Sequence, residues 1–257
     1  MKKIVLVLNL ILLLVACKNE TSSTKPVEKD KEPHSTTKKL SVEEQAKAHI
    51  MRALSIPANE KFTYTIYKEH LDGDDKIDAI ITLNRFENAK SDAAKSPNPA
   101  LYSKFGYMGY YNFIFYYDGE LNLISPQIVI ASNANVPLKV SFENVYSLAY
   151  KDAIVEYHVS NAGYREYFTI VNHTPKSYFK WKNFDGILKG KQEAFTFGYS
   201  EGTMGPLKDI LIYKANYQQP SAGTDPNTFE PKLAATKELA YRFFYHTETE
   251  KYMTKNK

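Results

Sequence analysis

The 257-residue chain has one cysteine, one tryptophan and 11 glycines, and its six histidines are scattered at 34, 49, 70, 158, 173 and 246. A single cysteine excludes an intramolecular disulfide. No H-E-x-x-H, P-loop or G-x-S-x-G stretch occurs, so the short signatures of zinc hydrolysis, nucleotide binding and the serine elbow are missing. Long apolar runs are missing too. The longest, residues 4–16, has 13 residues, fewer than the ~20 a helix needs to span a bilayer. Neither sign of charge dominates the part that can fold. The formal +4 arises in the first 40 residues, which leave 25 basic and 25 acidic residues in 41–257. A basic footprint for nucleic acid is therefore lacking, and no nucleic-acid partner is expected.

What is present begins with an address. A basic start, Met1-Lys2-Lys3, leads into the apolar run, which ends in Leu14-Val15-Ala16-Cys17. This tetrapeptide resembles the bacterial lipobox, in which a small residue precedes a cysteine that is acylated and becomes the new N-terminus. The resemblance implies a signal peptide over 1–16, lipidation at Cys17, and the membrane as partner through the lipid. A plain secretory signal or an uncleaved anchor are the alternatives. By resemblance to Gram-negative lipoproteins, Lys18 at the second mature position implies the outer membrane. Lys18-Asn19-Glu20 matches a surface-export signal only in part, so the periplasmic and outer faces both stay open. Residues 17–40 contain no aromatics and are rich in Lys, Glu, Ser, Thr and Pro, a composition that reads as a lipidated disordered tether.

Residues 41–257 read as one globular β-rich domain, with room for a substantial core. Ser41 followed by Glu44 is a capping-box pattern, and Val42, Ala46, His49/Ile50 and Ala53/Leu54 recur at helical spacing until Pro57. After that helix the pattern is β. Strands are expected at 62–68, 77–84, 110–117, 121–131 (broken by Pro126), 137–142, 145–150, 153–159, 165–171, 177–182, 194–199 and 207–214. Turns at Asp118-Gly119, 151–152, 161–163 and 172–176 punctuate them. Residues 232–246 fit either a helix or the first arm of a hairpin over 240–254, with the hairpin preferred. No fixed-period repeat is visible. The fold class is α+β, predominantly antiparallel β, with an N-terminal amphipathic helix packed on a meander sheet or sandwich.

One stretch points to metal chemistry. His70-Leu71-Asp72-Gly73-Asp74-Asp75-Lys76-Ile77-Asp78 crowds carboxylates before an apolar strand. It resembles the D-x-D-G-D-G-x-x-D loops of FG-GAP and VCBS-type extracellular domains, which hold calcium between two strands. The resemblance spans about a dozen residues and implies calcium ligands at Asp72, Asp74 and Asp78, with the Lys76 carbonyl as a fourth. Two positions depart from it. His70 stands where the first carboxylate belongs, and imidazole suits softer metals than calcium. Asp75 replaces a glycine, at a place that calls for tolerance of a left-handed backbone. An Asp/Gly turn with solvated charges explains the same residues without metal.

The aromatic tract 102–117 supplies the other candidate surface. Its unbroken part, 113–117, reads as a strand buried on both faces. Tyr102, Tyr107 and Tyr110, set among Gly106 and Gly109, are the residues expected to face out, where they could stack on sugar rings. "GYSEGTMGP" (198–206) reads as a strand connection, and Trp181 between two lysines as one half-buried strand face. No catalytic set assembles from the sequence. The function expected is a lipid-anchored cell-envelope binding or structural module, not an enzyme, contacting glycan or another envelope protein. The alternative is a lipid-anchored hydrolase of an envelope or extracellular polymer, for which the discriminating feature is a concave pocket gathering two or more acids or histidines.

Overall fold

The computed structural model describes residues 40–186 and 193–254; Cys17, the signal peptide and most of the tether fall outside them. Helix α1 (Val42–Ala53) starts as its sequence dictates. The Glu44 N–H donates to Ser41 Oγ (3.2 Å), and Glu44 Oε2 accepts the Ser41 N–H (2.9 Å). Ala46 and Ile50 face inward onto Ala79, Ile81, Leu83, Phe113, Phe115 and Tyr117. His49 sits at the edge of that face. Its Nε2 meets the Ser125 carbonyl at 3.1 Å and its ring lies edge-on to Phe115, so the histidine is packed there.

The β strands form two antiparallel sheets. In the first, β1 (Thr63–Glu69), β2 (Asp78–Asn84) and β3 (Met108–Asp118) run in order, and both β4 (Leu123–Ile124) and β5 (Ile128–Asn133) pair with β3. β2 is buried at every position, its Ala79-Ile80-Ile81 triplet and Leu83 packed in the core and its polar Asp78, Thr82 and Asn84 buried with them. The second sheet is a pure meander of β6 (Lys139–Glu143), β7 (Asp152–Val159), β8 (Ala162–Val171), β9 (Thr174–Asp185), β10 (Glu193–Ser200), β11 (Asp209–Tyr217), β12 (Leu233–His246) and β13 (Lys251–Thr254). Among the described residues, two residue pairs join β9 to β10. The sheet folds over at that narrow seam, so that Ile154, Tyr167 and Phe179 on one half pack against Phe195, Ile210, Ile212 and Phe243 on the other. A separate cluster, including Ile80, Ile114 and Tyr116 with Val155, Tyr157 and Phe168, joins the two sheets. Each such fully buried large side chain contributes roughly 1.5–3 kcal/mol.

The expected class therefore holds, with corrections to its parts. Two helices were not anticipated, α2 (Phe86–Lys95) and α3 (Pro99–Lys104). α2 has a thin apolar face, Ala89 and Ala93, and is reinforced by Glu87–Lys90 and Asp92–Lys95 pairs. α3 carries an Asn98 cap and Pro99 at its first turn. The strand expected at 145–150 does not form. The Val145 and Tyr146 N–H groups instead both donate to Asp152 Oδ2 (2.9 and 2.7 Å), which curls that segment into a loop. Asp152 and Ala162-Gly163, assigned to turns, begin strands instead. The 232–254 segment is a hairpin, with its first strand starting at Leu233 rather than at 240.

A repeat that the sequence concealed emerges from the pairing. Three hairpins close on the pairs Glu69↔Asp78, Glu143↔Asp152 and Ser200↔Asp209, each spanning eight loop residues. In each, the second member is a buried aspartate that opens an apolar strand and accepts loop N–H groups. These come from Leu71 for Asp78, Val145 and Tyr146 for Asp152, and Thr203 for Asp209. The loops also stack. The Lys151 N–H donates to the His70 carbonyl (2.9 Å) and the Lys208 N–H to the Val145 carbonyl (3.1 Å), so the three turns stand in a row.

Candidate functional site

In the first of these turns, Asp72, Asp74 and Asp78 place ligand oxygens within 4.8 Å of one another. Most of these oxygens already accept a hydrogen bond. Asp78 takes the Leu71 and Gly119 N–H groups (both 3.0 Å), Asp72 takes the Asp74 N–H (3.1 Å) and the Tyr116 hydroxyl (2.7 Å), and Asp74 takes the Lys76 N–H (2.7 Å). Burial pushes the Asp78 carboxyl up and the neighbouring Asp72 charge pushes it further, while its two N–H bonds pull the other way. Burial, and then the bond to Asp72, raise the Tyr116 phenol far above its ordinary value. The Lys76 ammonium turns outward to Asp75 (3.0 Å) and holds that carboxyl down, so it does not neutralise the cluster.

These residues fit a hard divalent cation. All three side chains offer oxygen, each carboxylate keeps lone pairs beyond the bonds it accepts, and calcium takes six to eight such atoms. His70 is not among the clustered ligands, as its chemistry leads one to expect. Asp75 is not in the left-handed region, so the missing glycine distorts nothing. The glycine that this turn does require lies on the neighbouring hairpin. A Cβ on Gly119 would stand 2.3 Å from the Ile77 carbonyl oxygen.

The aromatic tract divides between core and surface as expected, except at Tyr107. Phe113 to Tyr117 are buried, whereas Tyr110 is 73% exposed. Tyr102 and Tyr110 meet on one open concavity of about 490 Å³ with Leu101, Phe105 and Met108. Tyr107 is not on it. Its ring lies edge-on to Phe86 at 5.3 Å, and its backbone sits at φ 54°. The sequence reading missed Leu101, Phe105 and Met108, although Asn98-Pro99 signals the helix that carries Leu101 and is capped by Phe105.

Beneath this face lies a buried amide network. Asn133 Nδ2 donates to the Ser160 and Asn227 carbonyls (2.7 and 3.2 Å), and Asn133 Oδ1 accepts the Ser160 N–H (2.8 Å). Asn227 Nδ2 reaches the Lys104 carbonyl at the end of α3 (3.1 Å). Gly106 (φ +67°) fits over it because any Cβ would press on the Asn133 amide at 2.8 Å. The aromatic face thus rests on a rigid polar base.

A third feature has no counterpart in the sequence reading. A cavity of about 170 Å³ gathers Lys139, Glu156, His158 and Glu230 beside Tyr164, Asn183 and Phe184. His158 is 95% buried and its Nδ1 donates to the Asn227 carbonyl (3.1 Å). Burial pushes its pKa below the ordinary value, and in the neutral ring with Nδ1 donating, Nε2 is the acceptor. Glu156 Oε1 accepts the Asn183 amide (3.2 Å) and lies 3.7 Å from Arg165 Nε; Glu230 pairs with Lys139 at the mouth. These residues come from β6, β7, β9 and a distant loop, so no linear motif marks them. Among the described residues, no helix is long and apolar enough to cross a membrane. The chain matches no protein-family model, no curated protein and no solved structure.

Proposed function

We propose that this protein is a lipid-anchored cell-envelope binding module, tethered through Cys17 at the outer membrane, that docks envelope glycan on its aromatic face. The observation that carries the reading is the exposure of Leu101, Tyr102, Phe105, Met108 and Tyr110 together, on a base fixed by Asn133 and Asn227. Aromatic faces with hydroxyl edges stack on sugar rings, and a rigid platform loses little entropy when it binds. The Asp72–Asp74–Asp78 turn acts as a calcium-stabilised strut on this reading.

Retention of the purified mature chain on immobilised envelope polysaccharide tests it. The wild type is retained, and Tyr110→Ala, which removes a side chain that is mostly in solvent, elutes at least tenfold earlier in ligand titration. Equal behaviour of the two proteins overturns the reading, and so does retention by an immobilised envelope protein in place of polysaccharide. In cells, Cys17→Ser releases the chain from the membrane fraction.

The hydrolase alternative draws on one observation, the cavity that brings Glu156, His158 and Glu230 together. Each of these three groups already has one polar atom engaged. Glu230 pairs with Lys139, Glu156 is held by Asn183 and Arg165, and His158 leans on a backbone carbonyl rather than on a carboxylate that would favour its protonated form. Binding accounts for the arrangement better than turnover does. Release of soluble sugar from envelope polymer by the wild type, and its loss in Glu156→Gln, would reverse that ranking.

A further inference from the structure

We infer that the Glu156–His158–Glu230 cavity is a binding site for a small primary ammonium group, either a free amine or the amino end of a longer molecule. The argument begins with what the walls leave unpaired. His158 is almost wholly buried yet lines the cavity, and with Nδ1 committed to Asn227 its Nε2 is an acceptor without a hydrogen-bond partner among the described residues. Glu156 has only Oε1 engaged, and Glu230 only Oε2. Asn183 Nδ2 is spent on Glu156, Tyr157 Oη on Glu166 (2.6 Å) and one Lys139 N–H on Glu230, while Asn183 Oδ1 is a buried acceptor with no partner among the described residues. Unpaired acceptors thus line the inner wall, and a ligand that brings hydrogens matches them. An ammonium brings three for the free oxygens of Glu156 and Glu230, whose other oxygens face Arg165 and Lys139, and a neutral imidazole does not repel it.

Size narrows the class. About 170 Å³ lies below the ~300–1,000 Å³ of drug-sized sites and admits one amino-sugar ring or a short alkylamine. Tyr164 and Phe184 give the apolar flank such a ligand needs. At the mouth, Lys139 already presents an ammonium to Glu230, and the incoming group would displace or join it. The site lies apart from the aromatic face and does not depend on the glycan reading.

Calorimetric titration of the mature chain, carrying Cys17→Ser, with glucosamine, N-acetylglucosamine and putrescine tests the inference. Glucosamine and putrescine bind, and N-acetylglucosamine, which has lost its ammonium, binds at least tenfold more weakly. Glu156→Gln weakens glucosamine tenfold or more. Glu230→Gln, at an exposed mouth position that leaves the fold intact, weakens it severalfold. The ¹⁵N resonance of His158 Nε2 shifts when glucosamine is added, which a merely structural histidine would not show. Tyr110→Ala leaves all of this unchanged, so loss of the glycan reading and loss of this one are separable. Equal affinity for glucosamine and its N-acetyl form, a still His158 signal, or indifference to both glutamate variants overturns the inference.

Discussion

Tyr116 donates its hydroxyl to Asp72 Oδ2 across 2.7 Å, so a ring fully buried between the two sheets ends on the carboxylate cluster of a surface turn. The core and the Asp turn are thereby one mechanical unit. Whatever settles the charges of the turn is felt by the cluster that holds the sheets together.

Calcium is the clearest test of that coupling. Three clustered carboxylates with no lysine among them repel one another, and a cation that binds only the folded chain stabilises it by mass action. Millimolar calcium is expected to raise the melting temperature by several degrees, and Asp74→Ala to abolish the rise. Asp74 is the right residue to remove, because its carboxylate bonds only the Lys76 N–H and holds no part of the core. An unchanged melting temperature in calcium would refute metal binding at this turn.

Gly119 tests the turn from its other side. Its N–H donates to Asp78 Oδ1, and a methyl group there would meet the Ile77 carbonyl at 2.3 Å. Gly119→Ala is expected to destabilise the fold by roughly 1–3 kcal/mol, as overpacking does, read as a drop in denaturant midpoint at unchanged slope. It should also blunt any calcium response by shifting Asp78, whereas Gly73→Ala, with nothing near its Cβ, should do neither.

How much of this was legible depended on how local the cause was. The capping box of α1, the Asp118-Gly119 hairpin and the buried 113–117 run are written in adjacent residues, and the structure follows them. The Asp turn was also readable, down to the misfit of His70. The triplicated hairpin was not. Its members share only an aspartate before an apolar triplet, at 78, 152 and 209, and the unequal spacing defeats a search for periods. The 145–150 segment misled for the same reason: its alternation suits a strand, but a carboxylate six and seven residues later claims its N–H groups. The cavity depends on contacts between Glu156, His158, Asn183 and Glu230 that no spacing encodes.

Asp152 offers a pH test. Burial pushes its carboxyl from an ordinary 3.8 up to about 6, against the pull of the Tyr146 and Val145 N–H bonds. A pKa raised in the folded state means that folding is favoured by the protonated form. That contribution is fully present below about pH 4, falls as the pH rises to about 6, and is absent above, an effect on the order of 3 kcal/mol. Asp152→Asn keeps an oxygen for Val145 and Tyr146 and places an amide where Oδ1 has no partner. The wild type should lose stability relative to this variant between pH 4 and pH 6 in urea titrations, and a parallel course of the two curves would rule the raised pKa out.

Asn133 decides whether the aromatic face stands on a rigid base. Its side chain is fully buried and satisfies the N–H and carbonyl of Ser160 and the carbonyl of Asn227, while Asn227 in turn holds the end of α3. Asn133→Ala leaves those backbone groups without partners in a place water does not easily reach, which costs roughly 1–3 kcal/mol for each group left unsatisfied. Thermal unfolding should report that loss. Hydrogen exchange should report something more specific, faster exchange in 99–110 than in the β7–β8 meander, because α3 and the start of β3 lose their tie to the 225–230 loop. If stability falls but exchange in 99–110 does not quicken, the network supports the core and not the face, and the aromatic residues owe their placement to α3 alone.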